Sequence, residues 1–566
     1  MSKVFKLGVA GIVVAVAAAA LLLPYYFGGK AEASLNKQYQ LLAQSPMVDV
    51  LSRQYERRWF SSTETMTIKL KEDLIKSLPI DVAENIRQTM GEGVKITNNI
   101  QHGPFAGGFS LARAKIDSTI VYPDLMKRGL MLLFTDETPL VINQTLGLFG
   151  GGTININSPA FDFKGLSDTN IKWQGFEFFA DYKGDFDEIE AKLSMPGLVW
   201  QMSNQSSVSY DGLVYQLSGK EGATGLWMGK HQLDLKRFAV AWGDEDKAKV
   251  DELLGLVTKL QFGALIKPVL NSDTKSIVVD DFHVNSDMVD TETAEFVKAT
   301  GQVRFAKATL GQDEYGPLEV EVVADHLHGP SLMALTDALE NVSAKALSGE
   351  AYHDEVLNII NKEGLAILMQ DPKISLNTFK LGTPQGVLAA KGHMNFKGIQ
   401  AADMSNFASF LNKMDAQMDV NVPQAFLERM AAAQAASFFD VGEGEDKEEQ
   451  IRQIEETAKF MVDSMIINMR EEGYLTVTER IVNLSVSLKE GTLLFNGKPF
   501  DAGVMLGSNF DEESEEELSH GAAPSGNAAE ALLPEPTAEL NAPAANDDAA
   551  AVAPEDGAEE PAPAAA

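Results

Sequence analysis

Val482-Asn483-Leu484-Ser485-Val486-Ser487-Leu488-Lys489 alternates apolar and polar side chains without a break. Successive side chains of an extended strand point to opposite faces, so this octet describes a strand with one face covered and one face wet. The pattern recurs upstream in Met66-Thr67-Ile68-Lys69-Leu70, Thr153-Ile154-Asn155-Ile156-Asn157 and Gln232-Leu233-Asp234-Leu235-Lys236, and it dominates residues 55–327. Such repetition describes an extended antiparallel sheet with one solvated face. Turn signals divide the runs at Tyr182-Lys183-Gly184-Asp185, Tyr210-Asp211-Gly212, Ser218-Gly219-Lys220 and Lys489-Glu490-Gly491, so the expected connectivity is a meander.

From Pro330 the period becomes helical, with Leu332, Leu335, Leu339 and Val342 about one turn apart and a second run over residues 355–369. Further helices are expected over 404–418, 423–436 and 447–469, and a short one over 33–51; β structure resumes at Tyr474. The fold class is α+β: one N-terminal transmembrane helix, a large, mostly antiparallel β-sheet body, a helical lobe and a disordered acidic tail.

Residues 7–27 carry no charge and are rich in Ala, Val and Leu. At about 1.5 Å of rise per residue, such a helix matches the hydrocarbon core of a bilayer. Lys3 and Lys6 precede it, which predicts a cytoplasmic N-terminus and a body on the periplasmic side of a bacterial inner membrane, with Tyr25 and Tyr26 at the interface. Ala31-Glu32-Ala33 resembles a signal-peptidase site, but the apolar run exceeds the usual signal length of about 7–15 residues, so an uncleaved anchor is expected. The expected segments are 1–6 cytoplasmic, 7–27 anchor, 28–329 a β-rich periplasmic domain, 330–507 a helix-rich part ending in a β-hairpin, and 508–566 the tail.

The 566-residue chain has no cysteine, which excludes disulfides, thiolate metal sites and cysteine nucleophiles. A net charge of −34 argues against nucleic acid, whose phosphates require a concentrated basic surface. Fifteen acidic residues and no Lys or Arg fall within 508–566, leaving −19 on the remainder. This Ala, Pro and Glu tail holds too little apolar bulk to offset the entropy of ordering.

Short colinear strings resemble the YdgA-like family of bacterial envelope proteins, a domain of unknown function. They are Gly28-Gly29-Lys30-Ala31-Glu32, Tyr55-Glu56-Arg57-Arg58-Trp59-Phe60-Ser61-Ser62, His102-Gly103-Pro104-Phe105, Glu137-Thr138-Pro139-Leu140 and Leu494-Phe495-Asn496-Gly497-Lys498-Pro499-Phe500. The resemblance implies a single anchor and a periplasmic body, and supplies no catalytic residues.

His102-Gly103-Pro104-Phe105 is the foremost candidate motif: His102 is expected at a strand tip, Gly-Pro ending the strand and Phe105 pinning the turn to the core. His326 and His328 share the parity of one strand face and form a weaker candidate pair, which lacks a third metal ligand. The glycine cluster at 147–152 lacks the lysine and hydroxyl of a phosphate loop and is expected to be a hairpin turn. No catalytic, metal or cofactor residues are assigned.

The expected role is non-enzymatic binding or envelope maintenance, with lipid or envelope proteins as partners and a homo-oligomer as one form. The alternatives are lipid handling through an apolar groove, similar to AsmA-like proteins in architecture only, and an unrecognised hydrolase, which requires hydroxyl, imidazole and carboxylate to converge in a cleft.

Overall fold

The computed structural model describes residues 3–500 apart from 44, 46, 77–79, 107–110, 136–137, 166–168, 185, 203–205, 244–273, 344–348 and 439–446. The chain divides into two units, Met1–Gly507 and Ser508–Ala566; the second, which holds the expected tail, lies outside the described residues.

Helix α1 (Lys3–Ala43) opens the chain as one continuous helix through Pro24. A helix expected over 33–51 is thereby corrected: α1 ends at Ala43, and Val48 already belongs to a strand, because Asp49, Ser52 and Gln54 fall at strand spacing opposite partners in the next strand. The side chains of residues 3–21, most of the expected anchor, lie outside the described residues. Among the described residues no helix is long and apolar enough to cross a membrane.

The strands are β1 (Val48–Arg57), β2 (Ser61–Leu70), β3 (Val94–His102), β4 (Ala114–Val121), β5 (Val141–Leu146), β6 (Gly152–Ser158), β7 (Phe161–Lys164) and β8 (Asn170–Trp173). They continue as β9 (Phe176–Lys183), β10 (Glu188–Gln201), β11 (Ser207–Glu221), β12 (Trp227–Ala241), β13 (Ser276–Asp290), β14 (Phe296–Phe305), β15 (Lys307–Leu310) and β16 (Asp313–Tyr315). The last are β17 (Leu318–His328), β18 (Lys373–Thr383), β19 (Gly386–Phe396), β20 (Met414–Pro423), β21 (Thr476–Thr478), β22 (Ile481–Lys489), β23 (Thr492–Phe495) and β24 (Lys498–Pro499).

Among the described residues these 24 strands form one sheet. Every pairing between them is antiparallel and most join sequence neighbours, as a meander requires. The few departures are local. β6 pairs with β9 past the small β7–β8 hairpin, β14 and β15 share one side of β13, and β22 follows β20. The sheet is continuous through residues 329/330, where β17 pairs with β18 across two intervening helices.

The remaining helices are α2 (Glu72–Lys76), α3 (Ile80–Met90), α4 (Asp124–Phe134), α5 (Gly329–Ser343), α6 (Gly349–Leu368), α7 (Phe407–Asn412), α8 (Gln424–Phe438) and α9 (Lys447–Glu471). A helix expected over 404–418 is corrected to a short 3-10 turn, α7 and the first half of β20, because Met414, Ala416 and Met418 repeat every second residue and pair with β19. Lys489-Glu490-Gly491 does make the final hairpin turn, with φ of +49° at Glu490 and +74° at Gly491.

Tyr210-Asp211-Gly212 is not a turn: β11 runs through it. Strands β10 to β13 instead bend together along a line where the ladder omits Pro196, Gly212, Lys236 and Asp281. Pro196 has no N–H to donate, and Gly212 and Asp281 adopt φ of +62° and +53°. The chain chemistry that resembles a reverse turn here bends four strands of a sheet.

Candidate functional site

Two features organise the described body: the joint between α1 and the first strands, and the apolar face that leads away from it.

The joint is built from residues at helical spacing on α1. Gly28, Ala31, Leu35 and Tyr39 fall on one side, and Ala31 and Leu35 are buried among Ile100, Ala114, Ile116, Leu146 and Tyr182 of the sheet. Three arginines clamp the same segment. Arg53 donates from Nε to Glu64 at 2.7 Å and from Nη1 to Asn36 at 2.8 Å, and its guanidinium lies over the Tyr39 ring. Arg57 donates to the Tyr25 carbonyl and pairs with Glu32, and Arg113 donates to the Ser34 hydroxyl at 2.7 Å. Glu64 is only 1% exposed, and its second oxygen accepts from Asn98, whose own oxygen accepts from Ser118. A chain of polar contacts thus runs from β4 through β3, β2 and β1 to the helix, with its charge neutralised inside.

His102 ends β3, as the motif reading expected. Its Nδ1 lies 3.2 Å from the Trp59 carbonyl, which can only accept, so Nδ1 carries the proton and Nε2 accepts from the Ser62 hydroxyl at 2.8 Å. Burial pushes the imidazole below its ordinary value near 6.5, with nearby Arg57 adding to the effect and the Trp59 carbonyl opposing it. Gly103 is required for shape: a Cβ there would overlap the Ala112 carbonyl oxygen. Phe105 corrects its expectation. It is 63% exposed and does not pin the turn, because Gly103 and Ala112 already hold the loop by backbone bonds to Arg113 and Pro104.

A serine and a histidine within hydrogen-bond reach are two parts of a hydrolytic triad. Here the third position is a backbone carbonyl, Ser62 is 2% exposed, and Gly28 of α1 lies directly against the imidazole. The pair is roofed by the helix, where no substrate carbonyl can approach the hydroxyl.

This contact gives a direct expectation. A Cβ on Gly28 would overlap the buried His102 ring, whereas one on Gly29 meets the Arg57 guanidinium at 3.1 Å. Gly28→Ala lowers stability by about 1–3 kcal/mol through overpacking although alanine is the better helix former; Gly29→Ala lowers it less. Thermal melting of both variants tests the pair, and equal midpoints would refute the close packing.

His102 also sets a pH response. Its folded pKa is depressed, so below the ordinary value near 6.5 the unfolded chain binds more protons than the folded one. Its contribution to stability is full above that value and is lost as pH falls through the depressed folded pKa. The expected result is that the midpoint advantage of the native chain over His102→Asn shrinks as the buffer is taken from pH 7.5 to 5.

The second feature is a row of directly opposed residues on one face of the sheet. Ile142, Ile156, Phe178, Leu193, Tyr215, Leu233 and Val284 are successive cross-strand partners from β5 to β13. The row continues through Val303, Val320, Phe379, Ala390, Val420 and Leu484 to β22. One residue along, the parallel row reads Lys192, Gln216, Gln232, Asn285, Gln302, Glu321 and Thr378. The two faces are therefore chemically distinct across the sheet, apolar on one and hydrogen-bonding on the other.

The apolar face is covered at its ends. α1 covers it over β3 to β5, and α8 and α9 cover it over β22, where Val462, Ile466, Met469 and Val482 are buried together. Between the ends the eleven residues from Ile156 to Val420 are only half-buried, as are Ile142 and Leu484 beside the helices. From β9 to β19 this leaves an apolar sheet face about 38 Å across at roughly 4.8 Å per strand. Sequence reasoning caught the alternation in single strands and missed the row, since register is a property of pairs.

His326 and His328 both contact Phe296: His326 stacks on the ring at 3.9 Å and His328 tilts against it at 5.6 Å. His326 occupies a bulge with φ of +56° and its Nδ1 is 2.9 Å from the Gln370 carbonyl, while His328 Nδ1 is 2.8 Å from Ser331 Oγ. Each imidazole has its own partner, and among the described residues no group of three or more His, Asp or Glu side chains is arranged to hold a metal. His326 also borders an open pocket of about 740 Å³, whose walls mix Lys373, Lys397, Lys413 and Lys489 with Asp371, Asp415 and Glu490. The glycine cluster at 147–152 makes the β5–β6 hairpin turn, closed by Gly147 N–H donating to the Gly151 carbonyl.

Compared with known proteins, residues 1–502 match a family model described as a bacterial protein of unknown function, DUF945. No curated protein and no solved structure matches the chain.

Proposed function

Because the chain belongs to this DUF945 family of bacterial proteins of unknown function, we propose a function from geometry: a membrane-tethered, non-enzymatic holder of lipid acyl chains. The N-terminal apolar segment spans a bacterial inner membrane, the body stands in the periplasm, and the apolar sheet face takes the hydrocarbon part of an envelope lipid. On this reading the chain is an envelope protein of the YdgA-like kind.

The observation that carries the reading is the half-buried row from Phe178 to Ala390, backed by a polar row one residue away. A soluble domain ordinarily covers so extended an apolar face, because each buried Å² of apolar surface is worth roughly 25 cal/mol. One leaflet of a bilayer is about 15 Å thick in its hydrocarbon part, so the apolar face accommodates acyl chains laid along it. The row also begins beneath α1, the element that leads to the membrane segment.

The test uses the alternation of faces. A photo-reactive residue at Leu233 of the intact chain in cells captures lipid, and one at Gln232, its neighbour on the polar face, does not. Equal lipid capture at both positions, or capture at neither, would sink the reading.

A further inference from the structure

We propose that the hairpin tips beside α1 form an aromatic collar that enters the headgroup region of the bilayer and seats the sheet on it. The inference depends on the membrane-tether reading above and adds a second, independent lipid contact outside the apolar sheet face.

In an antiparallel meander alternate turns lie at the same end, which brings the β1–β2, β3–β4 and β5–β6 tips together. Their mutual bonds confirm this placement: His102 N–H donates to the Phe60 carbonyl, Arg113 N–H to the Leu146 carbonyl, and an Arg113 Nη2 group to the Leu148 carbonyl. Two of the tips touch α1 at Tyr25–Gly28: the Trp59 ring packs 4.9 Å from Tyr25, and His102 lies against Gly28. From that turn α1 continues as helix toward Lys3, through the uncharged residues of the expected anchor.

Each tip turns its largest apolar side chains outward. Phe149 is 97% exposed, Leu111 65%, Phe105 63%, and Tyr26, Trp59 and Phe60 about half. Single exposed apolar residues are ordinary, but a group of them on three separate hairpins is not. The chemistry matches an interface: amphipathic Tyr and Trp rings favour headgroup depth, and Lys30 lies at the same end with Arg57 and Arg58, which stand beside Glu32 and Glu56. A bilayer fits better than a protein partner because the apolar helix passes directly beside these tips at Tyr25–Gly28, so anything covering them must also accommodate that helix.

The absence of native cysteine makes the test clean, since Phe105→Cys, Phe149→Cys and Gln216→Cys each give one labelling site. The full-length chain, labelled with an environment-sensitive fluorophore, is reconstituted into liposomes carrying headgroup-level nitroxide lipid. The expected result is quenching at 105 and 149 at least threefold stronger than at 216, on the polar face of the sheet. Quenching equal to that at 216 in protein that floats with the liposomes overturns the collar and leaves the tether standing. A blue-shifted label at 105 or 149 with no lipid quenching assigns the tips to a second copy of the chain, which also overturns the collar. Failure to float overturns both.

Discussion

Arg53→Ala lowers the stability of the folded body by about 3–5 kcal/mol, the range for removing one partner of a buried ion pair. Glu64 is 1% exposed and Arg53 is the cation paired with it. Removing the guanidinium leaves a buried carboxylate that keeps Asn98 as a partner but no cation. The loss spreads to the helix, because Arg53 also donates to Asn36 and lies over Tyr39. Chemical denaturation of the purified full-length chain measures the effect. Adding Glu64→Gln to Arg53→Ala recovers part of the loss, since the uncompensated charge is the main cost. A loss below about 1 kcal/mol, the range for exposed pairs, would mean that the joint is not held by this pair.

Leu233→Glu combined with Val303→Glu cuts lipid retention by at least about tenfold, because a carboxylate on an acyl-covered face costs several kcal/mol to desolvate. Both residues stand on the half-buried row, in β12 and β14, so each change costs the fold only about 1 kcal/mol. The control pair Gln216→Glu and Asn285→Glu puts the same charges on the polar face and leaves retention unchanged. Lipid extracted from each purified chain and measured by mass spectrometry decides the matter. Equal loss in the two pairs points to a general effect of charge, and no loss in either removes the apolar face as a lipid site.

The collar and the joint divide the N-terminal motifs by function. Gly28, Ser62 and His102 face inward and fix the angle between helix and sheet, whereas Trp59, Phe60 and Phe105 belong to the same strings and face out. Short strings that read as family signatures on the sequence are here the parts that meet in space.

The sequence by itself determined the strands with clear alternation, the antiparallel sense implied by short turns, the long helices from residue 329 and the final hairpin. Those features depend on local periodicity and turn chemistry, which the chain carries within a few residues. It misled where local chemistry has two uses: Tyr210-Asp211-Gly212 bends a sheet instead of reversing it, and residues 404–418 satisfy a helical spacing although the last third pairs as a strand. It also placed Phe105 inside, as hydrophobicity alone suggests. Only the tertiary structure decided that His102 packs beneath Gly28, that Arg53 and Glu64 form a buried pair and that thirteen apolar residues align across thirteen strands. Each depends on which residues stand opposite one another across tens to hundreds of positions. Register and docking are set by the summed packing of the whole sheet, and no single strand contains that information.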